Sequence, residues 1–403
     1  MVLKRLAALL SLLLLGATPA LARTCPWQAS WGSSQYSPDP APELPAGALA
    51  DRTLRQVLRI STGGDAVRVR ISNIFGKAPL AIGAATIGLS ADNGSARTRD
   101  GTLQALRFNG QAGVVVPPGG EWMSDAAPMR LDAFADLVVT LHVQSDPDGQ
   151  TSHPGSRATS YLAPGDQSAA ADLPHATKVD RWYLLSGVET RRCGREGVVI
   201  LGDSITDGFG VKANTNERWT DFLARRFGGR VAVVNQGIGG NRVRRDGLGP
   251  NAVARFDRDV LSQPGIGHLV LLIGINDIGT LTRDRPASEA EHRALVDQVT
   301  GAYAQLIARA RSHGLKVHGA TILPFMASGY YHPDAANEAD RQAINAWIRT
   351  PGHFDNVIDL DAALRDPARP AYLAPGYDGG DGLHPGIAGY RAMAEAVDLK
   401  AFR

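Results

Sequence analysis

The pattern of hydrophobic and polar positions divides the chain into two parts. In the first part, from about residue 30 to residue 192, short apolar runs alternate with turn residues such as Asn109-Gly110. Val67–Ile71 alternates apolar and polar residues with a period of two, and Ala135–Val143 has the composition of a second strand. Convincing helical periodicity is absent there. We therefore predict an all-β region, an antiparallel sandwich of the jelly-roll kind.

The second part begins at Gly197, where apolar strand runs start to alternate with helical patterns. The run Gly197–Leu201 predicts a strand buried on both faces. The longest helix is predicted over Ser288–Ser312, because Ser288 and Glu291 have the spacing of a capping box. This alternation predicts a parallel sheet with helices on both faces. The other predicted elements are strands at Arg230–Val234, His268–Ile273, Lys316–Leu323 and Asn356–Leu360, and helices at Glu217–Phe227, Asn251–Leu261, Ala335–Arg349 and Ile387–Val397.

The N-terminus has the features of a secretory signal peptide. Lys4 and Arg5 precede the apolar run Leu6–Leu15, which is too short to span a bilayer as a mature helix. Ala20–Ala22 forms an A-x-A cleavage site. We predict that residues 1–22 are removed and that the protein is secreted or periplasmic. An uncleaved anchor is the alternative interpretation.

Export gives the two cysteines a structural interpretation. Cys25 lies just inside the predicted mature start, and Cys193 lies just before the central strand. Because cysteines in an oxidising compartment usually pair, we predict a Cys25–Cys193 disulfide, with two free thiols as the alternative. The predicted domains are a β-sandwich domain over residues 23–192 and an α/β domain over residues 193–403.

Composition limits the classes of partner. The 403 residues are 44% hydrophobic and 20% charged, which is typical of a soluble globular protein with room for two domains. A formal net charge of +2 gives no strong field for nucleic acid or an acidic membrane. We therefore expect no nucleic-acid partner, no membrane span in the mature chain, and a monomer or a small homo-oligomer. The sequence has no His-Glu-x-x-His, Cys-x-x-Cys or Gly-x-x-x-x-Gly-Lys motif, which makes metal- and phosphate-binding classes poorer candidates, and we expect no cofactor.

Four polar motifs lie at or shortly beyond the carboxyl ends of predicted strands. The first is Gly202-Asp203-Ser204, and the others are Asn235–Asn241, Gly274–Asp277 and Asp381–Pro385. The carboxyl ends of parallel strands lie along one edge of a sheet, so all four motifs can converge there.

The residue types in these motifs fit ester hydrolysis. A serine hydroxyl such as that of Ser204 is a poor nucleophile until a base takes its proton. His384 can be that base, and Asp381 can orient and stabilise its imidazolium form. The oxyanion of the tetrahedral intermediate needs fixed donors. The Ser204 N–H, the Asn276 side-chain amide and the N–H of a glycine in the second motif suit that role.

In their order along the chain, these motifs resemble those of the SGNH hydrolases, also called GDSL esterases/lipases. The resemblance covers about Gly197–Arg403, and the four letters correspond to Ser204, Gly240, Asn276 and His384. It implies a three-layer α/β/α flavodoxin-like domain and a metal-independent ester hydrolase. It also implies that Ser204 is the nucleophile, that His384 is the base with Asp381 as its partner, and that Gly240 is the oxyanion glycine.

Three hypotheses about function remain. The leading one is removal of acetyl or other short acyl groups from polysaccharide. It depends on export, on the β domain and on a likeness to a bacterial subgroup found near xylan-degrading enzymes. The second is a lysophospholipase or general arylesterase. The third is a carbohydrate-binding protein whose α/β half is catalytically idle; the intact set of Ser204, Asn276, Asp381 and His384 argues against it.

Several residues keep two interpretations. The loop that contains Arg242, Arg244 and Arg245 has two interpretations: either it contacts an anionic or sugar substrate, or it is a basic loop exposed to solvent. The segment Tyr330–His332 either walls the acyl pocket or is surface loop. The tryptophans of the first part either stack on sugars or belong to the core and the domain interface; they are Trp27, Trp31, Trp122 and Trp182.

Overall fold

The computed structural model describes residues 25–36, 44–194 and 196–403. The predicted signal peptide, residues 1–22, lies outside the described residues. Within the described ranges, none of the helices has the length and apolar character needed to cross a membrane.

Antiparallel strands build the part of the chain before Gly197. They are β1 (Trp27–Gly32), β2 (Arg52–Arg59), β3 (Gly64–Ser72), β4 (Leu80–Leu89), β5 (Gln104–Ala105), β6 (Val114–Val116), β7 (Glu121–Met123), β8 (Ala127–Leu131), β9 (Asp136–Val143), β10 (Ser152–His153), β11 (Ser160–Pro164), β12 (Thr177–Val179), β13 (Trp182–Tyr183) and β14 (Leu185–Arg191). One sheet has the order β1-β14-β3-β7, with β8 also paired to β3. A larger sheet has the order β12-β11-β2-β9-β4-β5, with β6 also paired to β4, and β10 pairs with β13.

The two larger sheets share one hydrophobic core. Val69 of β3 and Val188 of β14 belong to the same cluster of buried side chains as Leu141 of β9. The alternating pattern of the sequence puts these side chains on the inner faces. Asn109 and Gly110 both have positive φ, 51° and 78°, as a tight hairpin turn requires. An all-β region of antiparallel sheets is therefore confirmed, and its jelly-roll form stays a prediction.

A five-stranded parallel sheet forms the centre of the second part. Its strands are β15 (Gly197–Gly202), β16 (Val233–Gly237), β17 (Ile266–Leu272), β18 (Lys316–Ala320) and β19 (Asn356–Ile358). Their order across the sheet is β16-β15-β17-β18-β19, which is the 2-1-3-4-5 order of flavodoxin-like sheets. With right-handed crossovers, this order places helices on both faces. All six residues of β15 are buried, as the apolar run predicts.

Helices connect these strands. They are α1 (Ser204–Asp207), α2 (Trp219–Phe227), α3 (Ala252–Phe256), α4 (Ile275–Thr282), α5 (Glu289–Ser312), α6 (Ala335–Arg349), α7 (Leu360–Leu364) and α8 (Ile387–Glu395), with a π turn at Asp257–Leu261 and a 3₁₀ turn at Leu399–Phe402. The capping box at the start of α5 is confirmed. Ser288 accepts the Glu291 N–H, and the Glu291 carboxylate accepts the Ser288 N–H.

Several element predictions differ from the structure. β16 lies about three residues beyond the predicted strand Arg230–Val234. It includes the polar residues Asn235 and Gln236, because tertiary contacts satisfy them; Ser34 Oγ donates to Gln236 Oε1 at 2.6 Å. The short helices α1, α4 and α7 were not predicted, because helices of one or two turns give too few positions for a clear periodic signal.

A disulfide and strand contacts join the two parts of the chain. Cys25 and Cys193 form a disulfide, which confirms the predicted pairing. β1 pairs with β14 and also lies against β16 of the parallel sheet. Trp31 and Trp182 are buried in the β core, with ring centroids 4.8 Å apart, so these two are core side chains.

Candidate active site

The four sequence motifs meet at one edge of the parallel sheet. Ser204 follows β15, Gly240 follows β16, and Asn276 follows β17. These three residues, with Asp381 and His384, line one cleft of about 580 Å³. The predicted site residues are therefore brought together, as the topology of a parallel sheet requires.

Ser204 is held at the start of α1 by the turn that ends β15. The Asp203 carboxylate caps this helix by accepting the Ile205 N–H at 3.0 Å. Burial raises the pKa of Asp203 to about 7, with the nearby Asp277 carboxylate adding to the effect. The sharp strand-to-helix transition presents the Ser204 hydroxyl to the cleft.

A chain of hydrogen bonds connects three of the predicted residues. Ser204 Oγ lies 2.8 Å from His384 Nε2, and His384 Nδ1 lies 2.7 Å from Asp381 Oδ2. The other Asp381 oxygen accepts the backbone N–H groups of Leu383 and His384, so its loop fixes the carboxylate. Burial alone would raise the pKa of Asp381, but the hydrogen bonds from His384 and Leu383 outweigh it and lower the pKa to about 2. Asp381 is therefore a stable carboxylate acceptor for the histidine.

Gly240 lies in a tight turn beyond β16. The turn is closed by the Asn241 N–H, which donates to the Ile238 carbonyl at 3.1 Å. Gly240 has φ of +66°, a conformation that residues with a Cβ rarely adopt. Glycine at this position is explained by the backbone of the turn, and the turn borders the cleft.

The side-chain amide of Asn276 has a fixed orientation. Its Nδ2 donates to the Asn241 carbonyl at 2.8 Å, and a carbonyl can only accept. Its Oδ1 must therefore be the atom that faces the Tyr331 hydroxyl, which donates to it at 2.6 Å. The second Nδ2 hydrogen is left for a group in the cleft. A fixed amide donor on the wall of the cleft is the kind of group that can stabilise an oxyanion.

The sequence did not predict the role of Arg255, whose side chain is completely buried beneath the site. Its guanidinium donates to the Gly202 carbonyl at the end of β15 and to the Gln236 carbonyl in β16, at 2.9 and 2.8 Å. It also donates to Asn241 Oδ1 and pairs with Asp259 at 2.8 Å. Arg255 thereby ties together the strand ends that carry Ser204 and Gly240. No local pattern in the sequence distinguishes it from a surface arginine on a helix.

The residues with two interpretations lie in different places. Arg242, Tyr330 and Tyr331 all line the cleft, and Tyr331 is almost completely buried there. Arg244 and Arg245 are exposed on the loop beyond the turn. The segment before α6 is thus partly a wall of the cleft.

Comparison with known proteins agrees with the site geometry. Residues 200–392 match the model of the GDSL-like lipase/acylhydrolase family. This part of the chain is therefore a GDSL-like lipase/acylhydrolase domain, as the motifs of the sequence indicated.

Solved structures resemble about half of the chain. The acetylxylan esterase Axe2 from Geobacillus stearothermophilus is 22% identical with a TM-score of 0.40, and the match covers 52% of this chain and 95% of that one. A GDSL-like lipase from Bacteroides thetaiotaomicron is 20% identical with a TM-score of 0.39, covering 51% and 87%. No curated protein sequence matches the chain significantly.

Proposed function

We propose that this protein is a serine esterase that works through an acyl-enzyme on Ser204. The observation that carries the proposal is the hydrogen-bond chain from Asp381 through His384 to Ser204. Because His384 Nδ1 donates to the carboxylate, Nε2 is the nitrogen that can accept the proton of the serine hydroxyl. This tautomer is the one that a general base requires.

In the acylation step, Ser204 Oγ attacks the carbonyl carbon of the ester while its proton passes to His384 Nε2. The charge that develops on the carbonyl oxygen is stabilised by the N–H groups of Ser204 and Gly240 and by Asn276 Nδ2. Collapse of the intermediate breaks the bond to the alcohol, which leaves with the proton from His384. The acyl group then remains on Ser204.

In the deacylation step, His384 takes a proton from a water molecule, and the resulting nucleophile attacks the acyl carbon. The same donors hold the second oxyanion. Collapse releases the carboxylic acid and returns the proton to Ser204 Oγ. Asp381 stays ionised throughout, in keeping with its lowered pKa.

For the substrate, we propose short acyl esters, with acetyl groups on a polysaccharide as the leading candidate. The proposal includes export through a signal peptide of residues 1–22 and an accessory β domain over residues 23–192. The Cys25–Cys193 disulfide supports it, since such bonds persist in oxidising compartments.

The lipid or arylester hypothesis is favoured by one feature of the cleft. Among the described residues, four large hydrophobic side chains are strongly exposed, and three of them border this cleft. They are Phe209, Leu248 and Tyr330, which are 45%, 59% and 60% exposed. A rim of this kind can hold a longer acyl chain or an aromatic ring.

A series of p-nitrophenyl esters from acetate to palmitate tests both candidates. Activity confined to acetate and propionate supports the short-acyl proposal, and acetylated xylan is then the next substrate. A maximum at longer chains supports the lipid candidate. Folded protein without activity at any length contradicts the esterase proposal and favours the binding-protein hypothesis.

The Ser204→Ala variant tests the nucleophile in the same assay. We expect kcat to fall by about 10⁴-fold or more, because the attacking oxygen is lost. Ser312→Ala, at the exposed end of α5, is the matched control and should hydrolyse at the wild-type rate. Circular dichroism shows whether both variants are folded. Retained turnover in Ser204→Ala would rule out the assignment.

A further inference from the structure

Two side chains from the β region contact the helical turn that carries Ser204. Asp207 is the last residue of α1, the turn that Ser204 begins. His153 Nε2 lies 2.8 Å from Asp207 Oδ1, and the Tyr36 hydroxyl donates to Asp207 Oδ2 at 3.1 Å. Tyr36, His153 and Asp207 are 6%, 4% and 3% exposed. In such a buried setting these hydrogen bonds hold their partners firmly.

The Tyr36 hydroxyl also contacts the turn that contains Gly240. It accepts the backbone N–H of Gly239, the residue next to Gly240. A Cβ on Gly239 would lie 2.8 Å from the Tyr36 oxygen, so this close approach requires glycine. Burial and the neighbouring Asp207 raise the pKa of Tyr36 well above its usual value, so the phenol keeps the proton that it donates. The Tyr36 hydroxyl thus joins the helical turn that carries Ser204 to the turn that contains Gly240.

His153 is itself held in place. Its Nδ1 lies 2.7 Å from the Ser34 carbonyl, and its ring lies between Trp182 and Tyr36, with centroid distances of 5.8 and 5.2 Å. Both ring nitrogens face oxygen acceptors, the Asp207 carboxylate and the Ser34 carbonyl. The ring therefore cannot rotate without losing one of these contacts.

Ser34 provides a second, independent connection. Its hydroxyl contacts Gln236 Oε1 and Asp259 Oδ2, and it accepts from Arg255, the arginine that ties the two strand ends together. The β region therefore contacts three residues that hold the site in place, namely Asp207, Gly239 and Arg255.

We propose that Tyr36 and His153 are positioning residues for the reaction, so that the β region completes the active site of the hydrolase domain. The inference rests on the proposed esterase function. Its physical basis is that oxyanion donors act only when they are held within a fraction of an ångström of the developing charge. Neither side chain lines the cleft, so both act through Asp207 and Gly239 rather than on the substrate.

The Tyr36→Phe variant tests the proposal, because it keeps the ring and removes only the bridging hydroxyl. We expect kcat for p-nitrophenyl acetate to fall by about tenfold or more, with KM changed less than about twofold. Affinity for an arylboronic acid that mimics the tetrahedral intermediate should fall in parallel with kcat.

Tyr161→Phe is the matched control. It removes another buried phenol hydroxyl of the β region, which donates to the Gly94 carbonyl and has no contact with the cleft. It should lower the melting temperature by a similar amount and leave kcat unchanged. A loss of kcat in Tyr161→Phe equal to that in Tyr36→Phe would contradict the proposal.

The histidine is tested by a pair of substitutions. His153→Leu should lower kcat, and His153→Gln should restore part of it, since the glutamine amide can still donate to Asp207. If Tyr36→Phe and His153→Leu are folded and keep wild-type kcat, the β region has only a structural role and the inference is wrong. If wild-type protein hydrolyses no ester, the proposed function fails first, and the positioning proposal fails with it.

Discussion

At the scale of single residues, the orientation of the Asn276 side-chain amide depends most clearly on the Tyr331 hydroxyl. Two hydrogen bonds fix the amide: its Nδ2 donates to the Asn241 carbonyl, and its Oδ1 accepts from the Tyr331 hydroxyl. Only the first of these comes from the turn that contains Gly240. Burial raises the pKa of Tyr331 above its usual value, so its hydroxyl remains a donor. Without that donor, a buried amide oxygen would lack a partner, which costs about 1–3 kcal/mol.

Tyr331→Phe should therefore lower kcat by roughly tenfold and leave KM close to that of the wild type, because the amide loses its fixed orientation. Steady-state kinetics with p-nitrophenyl acetate provide the measurement. Tyr372→Phe, a tyrosine that does not line the cleft, is the control. Equal kcat in Tyr331→Phe and wild type would show that the Asn241 carbonyl alone orients Asn276.

The residues proposed to carry the chemistry could be predicted from the sequence, and those proposed to position them could not. Ser204, Asp381 and His384 stand in short motifs whose order is informative. Tyr331 lies 55 residues from Asn276, and no spacing rule connects the two. Arg255 lies in a predicted helix, where an arginine is ordinarily exposed. Such contacts arise only when the chain has folded.

At the scale of elements, two neighbouring strands share a buried histidine pair. His268 of β17 and His318 of β18 contact each other, with Nδ1 of the first 3.0 Å from Nε2 of the second. Phe402 stacks on His318 with ring centroids 4.2 Å apart. Burial lowers the pKa of His268 to about 4 and that of His318 to about 3, and neighbouring cationic groups add to the effect.

This pair should make the fold sensitive to acid. In the unfolded chain each ring takes a proton below its ordinary pKa of about 6.5, whereas in the folded protein it does so only near 4 or 3. Protonation therefore favours unfolding, and stability is lost as the pH falls from about 6.5 toward 4. We expect the pair to lower the free energy of unfolding by about 2 kcal/mol between pH 7 and pH 5.5.

Urea unfolding at several pH values measures this effect. Relative to the wild type, the double variant His268→Leu/His318→Leu should gain about 2 kcal/mol of stability between pH 7 and pH 5.5, whatever its stability at pH 7. Asp203, whose raised pKa opposes the histidines in this range, is present in both proteins and cancels in the comparison. His175→Ala, an exposed histidine of the β region, should keep the wild-type dependence. An unchanged slope in the double variant would assign the acid sensitivity to other groups.

Most elements of the parallel sheet and its helices could be predicted from periodicity and caps. α6 has the predicted bounds, and α5 starts one residue after its cap. The predicted helix Asn251–Leu261 instead continues from α3 into a π turn. The polar end of β16 was missed because its side chains are satisfied by distant partners rather than by solvent.

At the scale of the whole molecule, the disulfide closes a separation of 168 residues. Cross-links of this kind stabilise a protein mainly by restricting the unfolded chain, and longer loops gain more. The bond holds the start of β1 beside the segment that enters β15. It therefore supports the same junction at which the β region contacts the candidate active site.

Replacing both cysteines, as Cys25→Ser/Cys193→Ser, should lower the free energy of unfolding by about 2–4 kcal/mol. Denaturant unfolding with and without dithiothreitol measures the effect. The reductant should destabilise the wild type, because Cys193 is exposed, and should leave the double variant unchanged. Identical denaturation midpoints for wild type and double variant would show that non-covalent contacts alone hold the junction.

The position of β1 also has a consequence for the order in which the protein can be completed during synthesis. A chain emerges from the ribosome with its N-terminus first, yet β1 pairs with β14, at residues 185–191. About 150 residues must therefore be translated after β1 before its partner strand exists. Cys25 likewise cannot form its disulfide until Cys193 has been synthesised. The sheet that contains β1 can therefore be completed only after residues 185–191 have been made, and in a shorter nascent chain β1 lacks its partner strand.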